Sequence, residues 1–275
     1  MFLAIHDLLV KMPYLRVFKY PGAKLSMIGD IENIFISSGC GNIVDVFGGS
    51  GTISLNIKSR GTVFNDLDPE IVNLFRTIKS SPDAIQEYLY ERSSRNRDGK
   101  QVETQPANSR VSKGKPRKGI SPEAAIYFLE SHITGFGGSG NTYRTRERSV
   151  SPFFRNLYRQ FPEIWKKVSG FTIENMDFRP LISKYDGADT FFYLDPPYHS
   201  KEWYRFNFRE SDYEDLRTII SGIKGKYLLT MDSGDLFLED IFGEPDFVKR
   251  YENQNQHPVY GKRPTRNRSF YTNVL

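Results

Sequence analysis

The residues best suited to take part in chemistry form a short polar motif at the end of a strongly apolar stretch. Phe191 to Leu194 leads into Asp195-Pro196-Pro197-Tyr198, here called the DPPY motif. The prolines fix the backbone and remove N–H donors, so the motif offers a carboxylate and carbonyl oxygens as acceptors beside a flat aromatic ring. These groups suit a planar ligand that carries an NH2 group. A purely structural turn is disfavoured, because a given tetrapeptide occurs by chance in roughly one in a thousand chains of this length.

A glycine-rich turn follows an earlier apolar segment. Asn42 to Phe47 leads into Gly48-Gly49-Ser50-Gly51, and a helix is predicted directly afterwards. Glycines at a strand-to-helix turn let the backbone approach a ligand, and nucleotides bind at the carboxyl ends of parallel strands. The spacing matches neither a P-loop nor GxGxxG. The pattern alone therefore leaves open both a tight structural turn and a cofactor loop.

A carboxylate follows the next predicted strand. Asp66 lies where an acidic side chain can accept both hydroxyl hydrogens of an adenosine ribose. Asp68, directly before Pro69, is better placed to cap the helix that begins there, which leaves Asp66 for the ligand. Together with the glycine turn, Asp66 predicts a cofactor that carries a nucleoside.

These motifs must be positioned by alternating strands and helices. Short segments rich in Val, Ile, Phe and Tyr alternate with amphipathic stretches of helical length, which predicts an α/β fold on a parallel sheet. The predicted strands are 42–47, 61–65, 171–175, 190–194, 226–231, 247–251 and 270–274. The predicted helices are 24–36, 52–58, 69–78, 82–91, 122–132, 152–167, 211–223 and 235–241. The alternation breaks between residues 77 and 170, which indicates a second domain there.

Composition excludes several classes of protein. The chain has 275 residues, 38% hydrophobic, and a single cysteine, Cys40. It can therefore bury a sizeable core without disulfides, and a secreted disulfide scaffold is excluded. No apolar run is long enough to cross a bilayer and no signal-peptide pattern opens the sequence, so we expect a cytoplasmic protein without a membrane partner.

The positive charge of the chain is concentrated in one segment. The net charge is +5, yet residues 92–118 alone carry +7 and contain no aromatic residue. Burial cannot offset the ordering entropy of such a segment. We interpret it as an insert that is either a solvated surface loop or a mobile basic arm attracted to a polyanion.

Five short motifs occur in one order along most of the chain. They are Tyr20-Pro21-Gly22-Ala23-Lys24, Phe47-Gly48-Gly49-Ser50-Gly51, Asn65-Asp66-Leu67-Asp68, Asp177-Phe178 and the DPPY motif. In this order and spacing they resemble the Dam-like DNA adenine-N6 methyltransferases. Ala23 departs from the usual family pattern, which has a second glycine at that position.

The resemblance implies a Rossmann-like domain that binds S-adenosylmethionine, formed by residues 1–76 and 171–275. It places a mainly helical target-recognition domain at 77–170, where the strand alternation breaks. It gives catalytic roles to Asp195, Pro196 and Tyr198. The cofactor contacts that it implies are Tyr20, Lys24, Phe47, Gly49, Ser50, Gly51, Asp66, Asp177, Phe178 and Asp195.

The resemblance also implies a reaction and a partner. S-adenosylmethionine is the expected cofactor, and the N6 atom of an adenine flipped out of duplex DNA is the expected acceptor. Tyr198 is expected to stack on the base. No obligate protein partner is implied, although an endonuclease acting on the same site would fit a restriction system.

Basic residues outside the insert are candidates for phosphate contacts. Arg144, Arg146 and Arg148 alternate in strand register, so they form either a solvated edge ribbon or a DNA contact. Further candidates near the C-terminus are Lys262, Arg263, Arg266 and Arg268. A GxGxxG pattern at residues 135–140 follows a predicted helix rather than a strand, and we interpret it as a flexible loop.

Three alternatives remain at this stage. Structured RNA or the N4 amine of cytosine could be the acceptor, because acceptor geometry alone does not separate planar amines. A non-catalytic nucleic-acid binder is disfavoured because Lys24, Asp66, Asp195 and Tyr198 are all present. A metalloenzyme is disfavoured because the four histidines are scattered and no HExxH pattern occurs.

Overall fold

Within the residues that the structure describes, the fold is a seven-stranded sheet covered by helices on both faces. The computed structural model describes residues 14–20, 22, 24–94, 120–134, 151–199, 201, 204–252 and 265–274. The strands are β1 (Asn42–Asp45), β2 (Gly61–Asn65), β3 (Thr172–Glu174), β4 (Thr190–Leu194), β5 (Lys226–Asp232), β6 (Phe247–Glu252) and β7 (Thr265–Thr272). The helices are α1 (Ile28–Ser37), α2 (Thr52–Asn56), α3 (Pro69–Ser80), α4 (Pro82–Ser93), α5 (Pro122–Thr134), α6 (Ser151–Ser169), α7 (Phe178–Tyr185), α8 (Glu210–Ser221) and α9 (Leu236–Phe242). A 3₁₀ turn, Leu25–Met27, precedes α1.

The strand order places β1 and β4 at the centre of the sheet. The order is β3-β2-β1-β4-β5-β7-β6. From β3 to β5 every neighbouring pair is parallel, whereas β7 is antiparallel to both β5 and β6. The prediction of a parallel sheet is therefore confirmed from β3 to β5 and was wrong at β7. The physical reason is that only residues 253–264 connect β6 to β7, which is short for the crossover that a parallel pair requires, so the two strands pair in opposite directions.

The core forms on both faces because β4 is apolar from Phe191 to Leu194. Phe192 and Leu194 pack with α7, α8 and α9, whereas Phe191 and Tyr193 pack with α1 on the opposite face. Side chains of a strand alternate between faces, so a strand that is covered on both sides has to be a continuous apolar run. The mixed α/β architecture predicted from the sequence is thereby confirmed.

The helices of the middle region pack against the edge of the sheet nearest β2. Residues of α3, α4, α5 and α6 share one hydrophobic cluster with Phe64 of β2. Arg92 of α4 also forms an ion pair with Glu130 of α5 at 3.2 Å. Most of the basic insert and the GxGxxG pattern lie outside the described residues. The assignment of 77–170 as a recognition domain stays a prediction.

One helix, α7, was missed by the sequence analysis. It begins directly after Asp177, whose carboxylate accepts a hydrogen bond from the Arg179 backbone N–H at 2.9 Å. Asp68 does the same for α3 through the Glu70 N–H, which confirms its predicted capping role. Among the residues that the structure describes, none of the helices combines the length and apolar character that crossing a bilayer requires.

Candidate active site

A cavity lies over the carboxyl ends of β1, β2, β3 and β4. The space within it, including space open to solvent, is about 1030 Å³. Each of the four strands ends where a lining segment begins. The lining segments are residues 45–50, 52–53, 65–68, 176–178, 193, 195, 197 and 204–208, together with Tyr20, Gly22, Lys24 and Asp212.

The glycine turn forms the floor of the cavity at the end of β1. A Cβ added to Gly48 would lie 2.3 Å from the Phe64 ring, and one added to Gly51 would lie 2.5 Å from the Phe75 ring. Gly51 also has a φ of +69°, a left-handed conformation that side chains other than glycine rarely adopt. These two glycines are therefore required by packing, and they bring the backbone of residues 48–50 to the cavity.

Asp66 connects this turn to the end of β2. One carboxylate oxygen accepts a hydrogen bond from the Gly49 N–H and the other accepts one from the Asp68 N–H, both at 2.8 Å. Burial raises the pKa of Asp66 to about 6. Each oxygen retains a second acceptor site, so the carboxylate can accept two further hydrogens from a diol.

Three phenylalanine rings form the adjoining wall. The ring centroids of Phe47 and Phe178 are 6.0 Å apart, and Phe208 lies 5.5 Å from the first and 5.3 Å from the second. The Arg179 guanidinium covers Phe178 at 4.3 Å and also forms an ion pair with Asp177. This wall can hold a planar aromatic ligand, with the Asp177 carboxylate beside it.

At the opposite end of the cavity, Asp195 is paired with a buried lysine. The Lys24 ammonium contacts the Asp195 carboxylate at 2.5 Å, the Tyr198 hydroxyl at 2.7 Å and the Gly22 carbonyl oxygen at 2.9 Å. Its three donors are thus all engaged. Burial lowers the pKa of Lys24 to about 8, although Asp195 acts in the opposite direction. The second oxygen of Asp195 accepts a hydrogen bond from the Thr230 hydroxyl at 3.3 Å.

The rest of the DPPY motif supports this corner from behind. Pro197 lines the cavity and its carbonyl oxygen accepts a hydrogen bond from the Tyr213 hydroxyl at 2.5 Å. Pro196 and Tyr198 are both buried and do not line the cavity. A base that stacks on Tyr198 therefore has to displace neighbouring groups, since only 6% of the Tyr198 surface is exposed.

The structure brings the residues predicted to bind the cofactor to one place. All of them except Gly51 line the cavity. Arg144, Arg146 and Arg148 lie outside the described residues. Arg268, a candidate phosphate contact, lies in the interior instead, because it is buried against the Tyr198 ring.

The roles of several residues around the cavity were not predicted from the sequence. The Asn65 side chain connects the ends of β1 and β3. It donates hydrogen bonds to the Val46 and Met176 carbonyl oxygens and accepts one from the Met176 N–H. The segment 204–208 follows the DPPY motif without a recognisable pattern. Asp45 was visible as the acidic residue before the glycine turn, but nothing in the sequence indicated its burial.

Asp45 is a buried carboxyl group, and the effect of its ionisation on the free energy of unfolding can be measured. It is 1% exposed and accepts hydrogen bonds from the Ser54 hydroxyl and N–H at 2.7 and 3.3 Å. Burial raises its pKa to about 7. The folded state therefore holds a proton that the unfolded state releases at lower pH. This stabilisation is complete below the unfolded pKa, about 4, and is lost as the pH rises through about 7.

We expect the substitution Asp45→Asn to remove this pH dependence. Asn cannot ionise but keeps an oxygen that accepts from Ser54. From pH 5 to pH 8 the unfolding free energy of the variant should rise relative to wild type by about 2 to 3 kcal/mol. Urea unfolding of both proteins without ligand, at the two pH values, measures this difference. A difference that is the same at both pH values would show that Asp45 is already ionised at pH 5.

Comparison with known protein families identifies the chain as similar to one of them. The model of the family described as "D12 class N6 adenine-specific DNA methyltransferase" matches residues 20–256. This range extends from the Tyr20 segment through the DPPY motif to the end of β6. A search of the curated proteins gave no match.

Proposed function

We propose that this chain, which belongs to the D12 class N6 adenine-specific DNA methyltransferase family, transfers a methyl group from S-adenosylmethionine to the N6 atom of an adenine flipped out of duplex DNA. Family membership gives the methyltransferase activity and the DNA adenine. The methyl donor, the extruded base, the duplex and the residue roles are our proposal. The observation that carries it is that the DPPY carboxylate and Asp66 lie in one cavity.

The chemistry of the cavity fits this methyl donor. Six carboxylic acids line it against two basic residues, which suits a ligand with a sulfonium and an ammonium group. Asp66 would hold the ribose hydroxyls, and the Phe47, Phe178 and Phe208 rings would hold the adenine. When bound, the donor supplies an electrophilic methyl group on a positively charged sulfur. The backbone of residues 48–50 would hold its remaining part.

Asp195 has the central role in the proposed reaction. Its carboxylate, with the Pro196 carbonyl oxygen, would accept the two N6 hydrogens of the target adenine. This orients the nitrogen lone pair out of conjugation with the ring and stabilises the positive charge that develops on nitrogen. One N6 proton is then released to solvent, which leaves N6-methyladenine. Because a carboxylate has about four acceptor sites, Asp195 can receive the amine while it remains bonded to Lys24.

Lys24 holds the Asp195 carboxylate in place through an ion pair at 2.5 Å. The same ammonium donates to the Tyr198 hydroxyl, so it also connects the carboxylate to the aromatic ring of the motif. In this proposal Lys24 is a positioning residue for both members of the motif.

Contacts to DNA would come from the middle region. We propose that 77–170 is the recognition domain, that the 92–118 insert is a basic arm, and that Arg144, Arg146 and Arg148 contact phosphates. Positively charged contacts of this kind make affinity fall as salt rises.

The product of the reaction tests this proposal. We expect the purified protein, given a donor with a deuterated methyl group, to form N6-methyl-2′-deoxyadenosine in duplex DNA, detected by mass spectrometry of the hydrolysed nucleosides. Sequencing of DNA from cells that express the protein, with detection of modified bases, identifies the site. Matched single-stranded DNA and structured RNA are the comparison substrates. Methylated adenosine in RNA alone, or N4-methylcytosine in DNA, would contradict the proposal.

A further inference from the structure

Arg268, an arginine on β7, reaches the DPPY motif from the far side of β5. In the antiparallel pairing of β5 and β7, Arg268 lies opposite Asp232. The two side chains form an ion pair. The Arg268 guanidinium carbon lies 5.0 Å from the centroid of the Tyr198 ring. The residue is 8% exposed, so it is part of the interior rather than of a surface that meets solvent.

Tyr198 is consequently held by two cations from different parts of the chain. Lys24 bonds to its hydroxyl at 2.7 Å, and Arg268 covers its ring. A guanidinium over an aromatic ring is attracted to the negative potential of the ring face, and this attraction grows when both groups are removed from water. A tyrosine whose hydroxyl and ring are both engaged has little freedom to rotate.

We propose that Arg268 is a positioning residue for the transfer step, which fixes the plane of the Tyr198 ring on which the acceptor base stacks once it has displaced the neighbouring groups. The proposal rests on the proposed function, since it assigns Arg268 to the acceptor side of that same site. Ordering the ring before the base arrives removes an entropic cost from the productive complex. Arg268 acts through Tyr198 and does not itself touch the reacting atoms.

A phosphate contact is the competing role for an arginine on a basic strand. That role needs a guanidinium that is open to solvent, whereas Arg268 is buried and paired with Asp232. Arg250 on β6 is exposed and offers the matched comparison, because it carries the same charge on the neighbouring strand. Its guanidinium bonds to the Thr265 hydroxyl at 2.8 Å, outside the cavity.

The test is a double-mutant cycle on the rate of single-turnover methyl transfer. Arg268→Gln should lower this rate about 10- to 100-fold, with donor affinity within twofold of wild type, and Arg268→Lys should recover part of the loss. Tyr198→Ala alone and Tyr198→Ala with Arg268→Gln should react at the same rate within twofold, because a residue that acts through the ring has no effect once the ring is gone. Arg250→Gln should keep the wild-type rate.

Three results would overturn the proposal. They are an unchanged rate in Arg268→Gln, a further loss of rate in the Tyr198→Ala background, or a loss confined to DNA affinity with a reduced salt dependence. If Arg268→Gln alone folds poorly, Arg268→Gln with Asp232→Asn removes both charges of the pair and leaves neither buried without a partner. The wild-type rate on duplex DNA tests the proposed function by itself, whereas only the ratios between variants test Arg268.

Discussion

The substitution Asp195→Asn is expected to lower the rate of methyl transfer to duplex DNA by about 10²- to 10³-fold. Asn keeps the shape of the side chain and one acceptor oxygen, but it loses the negative charge that would stabilise the developing charge on N6. Donor affinity should fall much less, because Asp66 and the aromatic wall at the other end of the cavity are unchanged. Single-turnover kinetics with saturating donor separate the two effects.

The choice of Asn rather than Ala follows from Lys24. Removing the Asp195 side chain altogether would also leave the buried Lys24 ammonium without an acceptor, whereas Asn keeps an oxygen for it, so Ala carries the greater risk that instability is mistaken for a catalytic effect. Asp189→Asn is the matched control, since that carboxylate is half exposed and pairs with Arg60 away from the cavity. A variant Asp195→Asn that retains a rate within tenfold of wild type would remove Asp195 from the proposed role.

The substitution Asp66→Ala is expected to raise the dissociation constant for S-adenosylmethionine about 100-fold, which corresponds to about 3 kcal/mol. It removes a charged acceptor for the ribose hydroxyls and leaves the Gly49 and Asp68 N–H groups without their present partner. Asp66→Asn keeps one oxygen acceptor and should give an intermediate value. Calorimetric titration of the donor into each variant measures the constants.

The Asp66 prediction requires a control for folding, and one result would contradict it. The thermal midpoint of each variant without ligand shows whether the loop between β1 and α2 is still folded. An affinity for the donor that is unchanged in Asp66→Ala, in a protein that is folded, would place the ribose elsewhere in the cavity.

The sequence predicted the strands that carry the motifs more accurately than it predicted β7. The bounds of β2 and β4 agree with the prediction, because their apolar runs stop abruptly at polar residues. The first half of β7 is polar and was left out of the predicted strand. Its antiparallel direction follows from the connection to β6, which an apolar pattern does not reveal.

The site was predictable where its residues are close in sequence and not where packing brings distant residues together. The glycine turn and the DPPY motif are local patterns, and their lining residues follow directly. Thr230, Phe208 and Arg268 reach the site from elements that carry no motif of their own. Asp177 was assigned from the motif alone, so the helix that it caps went unnoticed.

The central claim is that the DPPY corner holds the target N6 amine against the methyl donor, and a ternary crystal structure tests it most directly. Crystals would contain the protein, a duplex that carries the recognition sequence with its adenine unmethylated, and sinefungin, an analogue of the methyl donor that cannot transfer a methyl group. We expect the adenine outside the helix, its N6 atom within hydrogen-bond distance of the Asp195 carboxylate and the Pro196 carbonyl oxygen, and the analogue ribose on Asp66. An adenine that stays paired in the duplex, or an analogue bound outside this cavity, would contradict the claim.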